Sequence, residues 1–311
     1  MVLLIFKRIG FMLFTMIFVS IILFLLLETG LTGDPATRVL GNFASDEQKE
    51  MWRDQQGYNQ PVALRYVKWL GNFATGNLGT SIRYKGPVKE VLLPRLWNTA
   101  ILGFWTFAIM VPLSLTLGVL SGMKEGSILD RTISVLGILT TSVPEFASAV
   151  FFSALFVFGL KWLPGTSSMI NGFEFKQLIL PALVLVVYDF GYVARMTRAS
   201  MAEVMTSQYI RSAVLKGLPY RQVIFKHALR NALIAPFTVI MLQINWLLSG
   251  VIVVEFFFAY KGFGALLLEA SLNNDIALLE ACAMVAVVVA VTSQTIADIG
   301  YTFLNPRIRF S

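Results

Sequence analysis

The chain has 311 residues, of which 56% are hydrophobic and 14% are charged, and its formal net charge is +7. Because soluble domains usually carry about 25% charged residues, this composition excludes an ordinary soluble protein and indicates a polytopic membrane protein. Cys282 is the one cysteine and His227 the one histidine, which excludes an intrachain disulfide and argues against a Cys/His metal centre.

The N-terminal stretch predicts a first membrane span that is not cleaved. Its apolar run extends from Ile9 to Leu27, which is longer than the core of a typical secretory signal, and no A-x-A cleavage pattern follows. Lys7 and Arg8 precede the run, and basic flanks tend to stay in the cytoplasm. We therefore expect the N-terminus to be cytoplasmic.

Six apolar stretches are long enough to cross a membrane as helices, since one crossing needs about 20 residues. Runs such as "AMVAVVVAV" do not alternate polar and apolar residues, which argues against barrel strands. The sequence therefore predicts an all-α fold with six transmembrane helices. The predicted spans are 9–29, 99–121, 132–160, 178–195, 232–254 and 276–304.

The segment 30–97, between the first two spans, carries helix signals of its own. Ser45 and Gln48 have the spacing of a capping box, and Pro61 suits the first turn of a second helix. The residues predicted on one face of that second helix are Val62, Tyr66, Trp69, Leu70 and Phe73. The segment is either a small helical cap on the membrane or a landing surface for an external partner, and the two readings are compatible.

The net charge is concentrated between the fourth and fifth predicted spans. From Arg195 to Arg230 there are seven basic residues and one acid, Glu203, which gives +6 of the total +7. Because basic loops stay on the cytoplasmic side, this loop is expected inside, and six spans then place both termini inside. The segments expected outside are 30–97, 161–177 and 255–275, the last with Phe256–Phe258 as an aromatic anchor at the membrane surface.

Within the basic loop, the sequence predicts two helices joined by a tight turn. Gly217 interrupts the good helix formers at 199–216, and Pro219 is well placed to begin the second helix. The apolar stripe of that second helix consists of Val223, Ile224 and Ala228. From the residue pattern alone, such a hairpin either docks in a groove of a partner protein or lies among anionic lipid headgroups.

The stretch "YIRSAVLKGLPYRQVIFKHALRNALIAPF" (209–237) resembles the cytoplasmic EAA loop of ABC-importer permeases. It is most similar to the dipeptide/oligopeptide/nickel family, whose members often read "Y-x-R-x-A-x-x-K-G-L" and then "H-A-L-R-N-A-L-x-P". The matching positions are Tyr209, Arg211, Ala213, Lys216, Gly217 and Leu218, then His227, Ala228, Leu229, Arg230, Asn231, Ala232, Leu233 and Pro236.

Further motifs extend the resemblance over nearly the whole chain, and together they resemble a first-permease (B-type) subunit. The matching segments are "NLGTS" (77–81), "SVPEF" (142–146), "VVEFFFAYKGFGALLLEASLNND" (253–275) and "ADIGYTFLNPRIR" (297–309). Three places depart from the usual pattern: Arg211-Ser212-Ala213 for Glu-Ala-Ala, Tyr260-Lys261-Gly262 for Trp-Pro-Gly, and Asn305-Pro306-Arg307 for Asp-Pro-Arg. The second departure weakens any transfer of substrate class.

The resemblance implies a type I importer permease, which is a transport subunit of the cytoplasmic (inner) membrane and not an enzyme. Its implied partners are a second homologous permease, two ABC ATPase subunits and an extracytoplasmic substrate-binding protein. The chain has no G-x-x-x-x-G-K-[ST] phosphate loop, so we expect no cofactor in it, with ATP and Mg²⁺ bound by the ATPases. Membrane lipid is a further expected partner, and nucleic acid is not.

The resemblance also implies an organisation and a set of coupling residues. Residues 1–29 form the N-terminal tail and first span, 30–97 an external helical region, and 98–311 a five-helix core that contains the coupling loop 195–231. The residues expected to couple to an ATPase are Tyr209, Arg211, Ala213, Lys216, Gly217, Leu218, Arg221, His227, Arg230 and Asn231.

Ionisable and polar residues inside predicted spans are candidates for a translocation path, because such residues usually face a cavity or a partner. The candidates are Glu145, Asp189 and Asn245. Pro144 is expected to break the third span, with neighbouring hydroxyl groups satisfying the carbonyls that the break frees.

The substrate remains open at this point. Peptides are the leading expectation from the resemblance, while nickel chelates, opines and oligosaccharides are alternatives. Two other protein classes are alternatives. An ion-coupled secondary transporter would show inverted repeats, which the sequence does not show, and a membrane scaffold would use the basic loop to bind lipid.

Overall fold

The computed structural model of the chain describes residues 2–28, 33–169 and 172–304, with the backbone alone at 2–5, 28, 38, 245–250 and 301–304. The helices of the first half are α1 (Val2–Glu28), α2 (Pro35–Leu40), α3 (Asp46–Gln55), α4 (Val62–Ala74), α5 (Val88–Met123), α6 (Ile128–Ser142) and α7 (Glu145–Ser153). Those of the second half are α8 (Phe175–Met205), α9 (Gln208–Leu215), α10 (Tyr220–Gln222), α11 (Leu229–Ala232), α12 (Ile234–Phe257), α13 (Phe263–Leu272) and α14 (Ile276–Leu304).

The predicted all-α class is confirmed, with one small addition. The segment between α4 and α5 contains a two-stranded antiparallel pair, β1 (Thr80–Ser81) and β2 (Gly86–Pro87), with Ser81 opposite Gly86. Lys85 closes this pair with a φ of 50°. Two residues per strand leave the helical class unchanged.

Four described helices are long and apolar enough to cross a membrane, and the number rises to six if each of two bent pairs is one crossing. The first pair is Ile128–Ser142 with Glu145–Gly159, bent by 101°, and the second is Tyr220–Ala232 with Ile234–Ile244, bent by 47°. The first bend lies inside the third predicted span, at the break expected from Pro144. The second bend lies at Leu233, at the start of the fifth predicted span, where α12 begins.

The break in the third predicted span follows from Pro144. A proline disfavours helical backbone in the residue before it, and Val143 is extended, with φ −93° and ψ 121°. The hydroxyl groups of Thr141 and Ser142 donate to the carbonyl oxygens of Gly137 and Ile138, at 2.9 and 2.8 Å. These two carbonyls lie six and seven residues before Pro144, whereas the carbonyl that a proline frees lies four residues before it. The expectation that hydroxyl groups satisfy the freed carbonyl therefore stays a prediction.

The chain forms two compact units, the first made of residues 1–98 and 262–292 and the second of 99–261 and 293–311. In the first unit, the capping box of α3 is present, with Gln48 N 3.2 Å from Ser45 Oγ and Ser45 N 3.0 Å from Gln48 Oε1. Tyr66 and Trp69 of α4 pack on the ring of Phe24 in α1. The amphipathic helix predicted after Pro61 therefore packs its aromatic face on the first span, where these side chains are half-buried.

In the second unit, α8 is the central helix. Of its most apolar window 67% is buried, against 11% to 33% for the other three straight candidate spans. The core around it contains Leu185, Val254 and Phe258, all with no exposed surface. The prediction that Phe256–Phe258 forms a surface anchor is therefore wrong for Phe258, because the end of α12 turns its ring into this core.

Candidate functional site

The basic loop folds as a compact hairpin, which we define as residues 208–232 and call the basic hairpin. Its first helix is α9, and Gly217 at the turn has a φ of +74°, a left-handed backbone that favours glycine. Gly217 N donates to Val214 O at 2.9 Å, and Pro219 caps the start of the second helix. The predicted helix–glycine–helix arrangement is confirmed.

Two details differ from the sequence expectation. The first predicted helix, 199–216, is interrupted at Thr206 and Ser207, where α8 ends and α9 begins. The second helix contains a π-helical segment at Val223–Ala228 between α10 and α11. A π segment inserts an extra residue into a turn, and this places both Val223 and Ala228 on the packed side.

The inner face of the basic hairpin is tightly packed. Met201 at the end of α8 and Ala213 of α9 belong to the same buried cluster as the predicted apolar stripe. The members of this cluster are Met201, Ile210, Ala213, Val223, Ile224, Ala228 and Ala232. Ala213, one of the expected coupling residues, lies inside this packed face and supports the hairpin from within.

The outer face carries the basic residues, and all of them are exposed. Within the described part of the chain, no ion pair is formed by any of these side chains. The residues are Arg211, Lys216, Arg221, Lys226 and Arg230. Long cationic side chains that meet no acid among the described residues are available to the acidic surface of a partner or to lipid headgroups.

Exposed apolar residues lie beside these charges. Leu215 is 80% exposed and Val214 55% exposed, immediately before the turn at Gly217, and Phe225 is 73% exposed on the second helix. Sequence reasoning missed Val214 and Leu215 as candidate contact residues. The sequence did contain a sign of their exposure, because apolar residues lie on opposite faces of α9 and only one face can pack against the hairpin interior.

The remaining predicted coupling residues hold the two arms together. Asn231 Nδ2 donates to Tyr209 Oη at 2.9 Å and thus joins the end of the second arm to the start of the first. Leu218 packs against the inner cluster, and His227 is half-buried within the π-helical segment. The structure thus brings all ten predicted coupling residues into one hairpin.

A groove of about 400 Å³ lies beside the second arm of the basic hairpin. One wall is formed by α5 and the other by the second arm, and the lining is apolar apart from Thr116, Tyr220 and Arg221. The other lining residues are Leu115, Val119, Leu120, Met123, Ile224, Phe225, Leu229 and Leu233.

The predicted translocation-path residues lie on three helices of the second unit, Glu145 on α7, Asp189 on α8 and Asn245 on α12. Asp189 in α8 is fully buried, and its Oδ1 accepts from Gln243 Nε2 of α12 at 2.7 Å. No described residue donates to its Oδ2. Glu145 is half-buried in the first turn of α7, and the side chain of Asn245 lies outside the described residues. Their role in a path stays a prediction.

In the first unit, a second polar site joins the β1–β2 pair to α13 and α14. The fully buried Asp275 accepts from Ser81 Oγ at 2.5 Å, from Arg83 N at 3.1 Å and from Leu278 N at 3.3 Å. Ser81 ends the "NLGTS" motif and Asp275 ends "EASLNND". The two motifs that the resemblance matched separately are therefore hydrogen-bonded to each other.

A neighbouring contact extends this outer network. Tyr84 Oη donates to Glu269 Oε2 at 2.5 Å, and Arg95 Nη2 lies 3.2 Å from the same phenol oxygen and 3.6 Å from the carboxylate. Burial raises the pKa of Tyr84, and its hydrogen bond to the Glu269 carboxylate raises it further. Tyr84 therefore remains a neutral donor, and the network stabilises the packing of α13 in the first unit.

No metal centre is built by the described residues, since no three acidic, histidine or cysteine side chains come together among them. The hairpin, its packed inner face and its unpaired charges thus form the main candidate site.

Comparison with known proteins identifies the family. Residues 114–310, which include the whole basic hairpin, match the model of the binding-protein-dependent transport system inner membrane component. The chain belongs to this family. It is a multi-pass transport subunit of the inner membrane, and in such ABC systems ATP hydrolysis is carried out by separate subunits.

Relatives match this permease over nearly its full length. A Brucella abortus protein named for a peptide transport system is 35% identical over 99% of both chains. The oligopeptide transport system permease protein AppB of Bacillus subtilis is 33% identical over 94% of both chains. The dipeptide transport system permease protein DppB of Alkalihalophilus pseudofirmus is 32% identical over 89% of this chain and 91% of its own length. The resemblance stated from the motifs is confirmed, and permeases of this family work with a further permease, an ATPase and a binding protein.

Proposed function

We propose that this permease forms half of the membrane channel of an ATP-driven peptide importer and that the basic hairpin is its ATPase-docking element. The complete assembly would contain a second homologous permease, two ABC ATPase subunits that bind ATP and Mg²⁺, and an extracytoplasmic binding protein. In this arrangement the basic hairpin and both termini face the cytoplasm, which agrees with the positive-inside rule.

The observation that carries the docking proposal is the contrast between the two faces of the hairpin. The inner face is buried and the turn is fixed by Gly217, so the element keeps its shape without a partner. The outer face presents Leu215 beside the unpaired Arg211 and Lys216. A rigid helix with apolar and charged contact groups suits a cleft in a partner protein, since little ordering entropy is lost on docking.

Substitution of Gly217 by proline tests the docking proposal. Proline removes the N–H that bonds to Val214 O and cannot adopt a φ of +74°, so the turn would open. We expect the ATPase to be lost when the variant permease is purified through a tag on the second permease subunit. Uptake by the reconstituted importer should be lost with it.

Gly57→Pro is the matched control, because Gly57 also has a positive φ, +75°, and also donates its N–H to a helix end, at Asp54 O. It lies outside the hairpin, so the ATPase should be retained. Retention of the ATPase and of uptake by Gly217→Pro would contradict the docking proposal.

The peptide assignment rests on the names of the relatives, whose systems transport peptides, oligopeptides and dipeptides. It is tested by uptake into proteoliposomes that contain the complete importer with its binding protein. Labelled di- and oligopeptides should accumulate in an ATP-dependent manner. Accumulation of a nickel chelate, an opine or an oligosaccharide but not of any peptide would overturn the substrate class and leave the docking proposal intact.

A further inference from the structure

A buried carboxylate network holds three helices together next to the basic hairpin. Asp130, in the first turn of α6, is 3% exposed. Its carboxylate accepts from Ser121 Oγ of α5 at 2.5 Å and from Gly126 N of the α5–α6 connection at 2.9 Å. A buried carboxylate requires such donors, because an unsatisfied charge in a low-dielectric region is strongly unfavourable.

The remaining donors come from α8. Arg198 Nε lies 2.9 Å from Asp130 Oδ1 and Arg198 Nη2 lies 2.8 Å from Oδ2, which is a two-point, parallel contact. Such bidentate pairs fix direction as well as distance, because the guanidinium and carboxylate planes must align. Arg198 Nη2 also reaches Glu125 at 3.2 Å, but the Glu125 side chain is 59% exposed. The pair therefore fixes α8 against the start of α6, and Glu125 adds only a surface contact.

The backbones of α5 and α8 are in close contact at the same level. A Cβ atom added to Gly118 would lie 2.5 Å from Thr197 Cβ, and one added to Gly122 would lie 2.6 Å from Arg198 O. Small residues four apart on a membrane helix permit this close approach. Where α8 meets α6, a Cβ on Gly191 would lie 2.2 Å from Gly137 O. At these glycines no side chain interlocks α8 with its neighbours, so a directional polar contact is needed to fix its position along them.

The same end of α8 carries the basic hairpin. Met201 follows Arg198 by three residues, which places the two on one helix face, and Met201 is a fully buried member of the inner cluster of the hairpin. Val119 and Met123 of α5 also pack against this cluster. Force applied to the hairpin thus reaches α5 and α8 where Asp130 and Arg198 join them to α6.

We propose that Asp130 and Arg198 are positioning residues that make the basic hairpin, α5, α6 and α8 move as one body, so that displacement of the hairpin is transmitted to the membrane helices. The inference rests on the proposed docking function but assigns a separate role. Neither residue contacts the ATPase or the substrate in this scheme. Without the pair, the hairpin would stay bound to the ATPase while its movement was absorbed by slippage of α8 against α6.

The test is the ratio of substrate imported to ATP hydrolysed by the complete importer in proteoliposomes. Asp130→Asn keeps the side-chain shape but removes the charge and leaves one oxygen acceptor for the four donors. We expect the ATPase to copurify in normal amount and ATP hydrolysis to continue, while import per ATP falls roughly fivefold or more. Arg198→Lys keeps the charge but loses the two-point contact, and it should show the same loss in weaker form.

Glu125→Gln is the matched control, since it removes only the exposed contact to Arg198, and its import per ATP should be unchanged. Should Asp130→Asn not accumulate in the membrane, Arg198→Lys and Ser121→Ala carry the test, because each removes only part of the network. An unchanged ratio in these variants, or a parallel loss of import, ATP hydrolysis and bound ATPase, would overturn the proposal. Loss of bound ATPase in Gly217→Pro alone would still support the docking function.

Discussion

Charged residues have opposite surroundings in two regions of the molecule, the polar network around Asp275 and Glu269, called here the outer network, and the basic hairpin. In the first unit, Asp275 is fully buried and accepts three hydrogen bonds from Ser81, Arg83 and Leu278. In the basic hairpin, residues such as Arg211 and Lys216 are exposed and meet no acid within the described part of the chain. Buried carboxylates that accept several hydrogen bonds stabilise the packing of elements within one subunit. Exposed cations beside apolar residues suit contact with another subunit.

This comparison predicts that charges in the two regions have different effects when they are removed. Loss of an outer charge should reduce stability and leave ATPase binding unchanged. Loss of hairpin charges should leave stability nearly unchanged and weaken ATPase binding.

The largest expected effect is that of Asp275→Asn. The amide would present an N–H group toward donors that the carboxylate now satisfies, which should destabilise the first unit by about 3 kcal/mol. Thermal unfolding of the purified permease in detergent, followed by circular dichroism, measures this as a lower Tm. The exposed Glu50→Gln is the control, with an expected change within about 0.5 kcal/mol. A Tm equal to that of the unsubstituted protein would show that the hydrogen bonds of Asp275 do not stabilise the first unit.

A smaller effect is expected from neutralising three hairpin charges at once, in Arg211→Gln/Lys216→Gln/Arg221→Gln. Because these side chains have no ion pair to lose, Tm should change little. The affinity for the ATPase should fall about tenfold, which corresponds to about 1.4 kcal/mol. The loss should shrink at high salt, where charge contacts are screened.

The matched variant for this experiment is Lys68→Gln/Lys85→Gln/Lys89→Gln, which removes the same charge from exposed positions in the first unit. It should leave ATPase binding unchanged. Equal weakening by both triple variants would mean that net charge, and not the hairpin surface, determines the affinity.

The smallest expected effect concerns a half-exposed pair in the first unit. The hydrogen bond from Arg53, together with weaker ones from the side chain and backbone of Thr37, lowers the pKa of Asp34 from 3.8 to about 2. Because the folded pKa is depressed, the pair contributes stability above pH 4 and loses it as the pH falls toward 2. The contribution is small, since both side chains are partly exposed.

Tm measured between pH 5 and pH 2.5 tests this pair against Asp34→Asn. The unchanged protein should lose slightly more Tm over this interval than the variant does. Identical slopes would show that the Asp34–Arg53 contact contributes nothing to the stability of α2 and α3.

Much of the fold could be predicted because its signals are local. The capping box of Ser45 and Gln48 needs residues three apart, and the turn at Gly217 needs one residue that accepts a positive φ. The apolar stripe of Val223, Ile224 and Ala228 was visible from helical spacing, and all three are buried.

The errors involve packing partners distant in sequence. Phe258 looks like its neighbour Phe256, but only Phe258 meets the core around α8. The bond between Ser81 and Asp275 joins residues 194 positions apart, which no local pattern encodes. The bend of 101° at Pro144 was indicated as a break, but the angle depends on what the two arms pack against.

By itself, the sequence determined that the chain is a helical membrane protein, that its positive charge lies in one loop, and that this loop turns at a glycine. These properties follow from hydropathy, charge and backbone sterics, which act over a few residues. Only the tertiary structure decided which charges are paired. Asp130 and Asp275 are satisfied because folding brings donors to them from distant segments. The hairpin cations meet no acid among the residues that the structure describes, because the same packing points them outward.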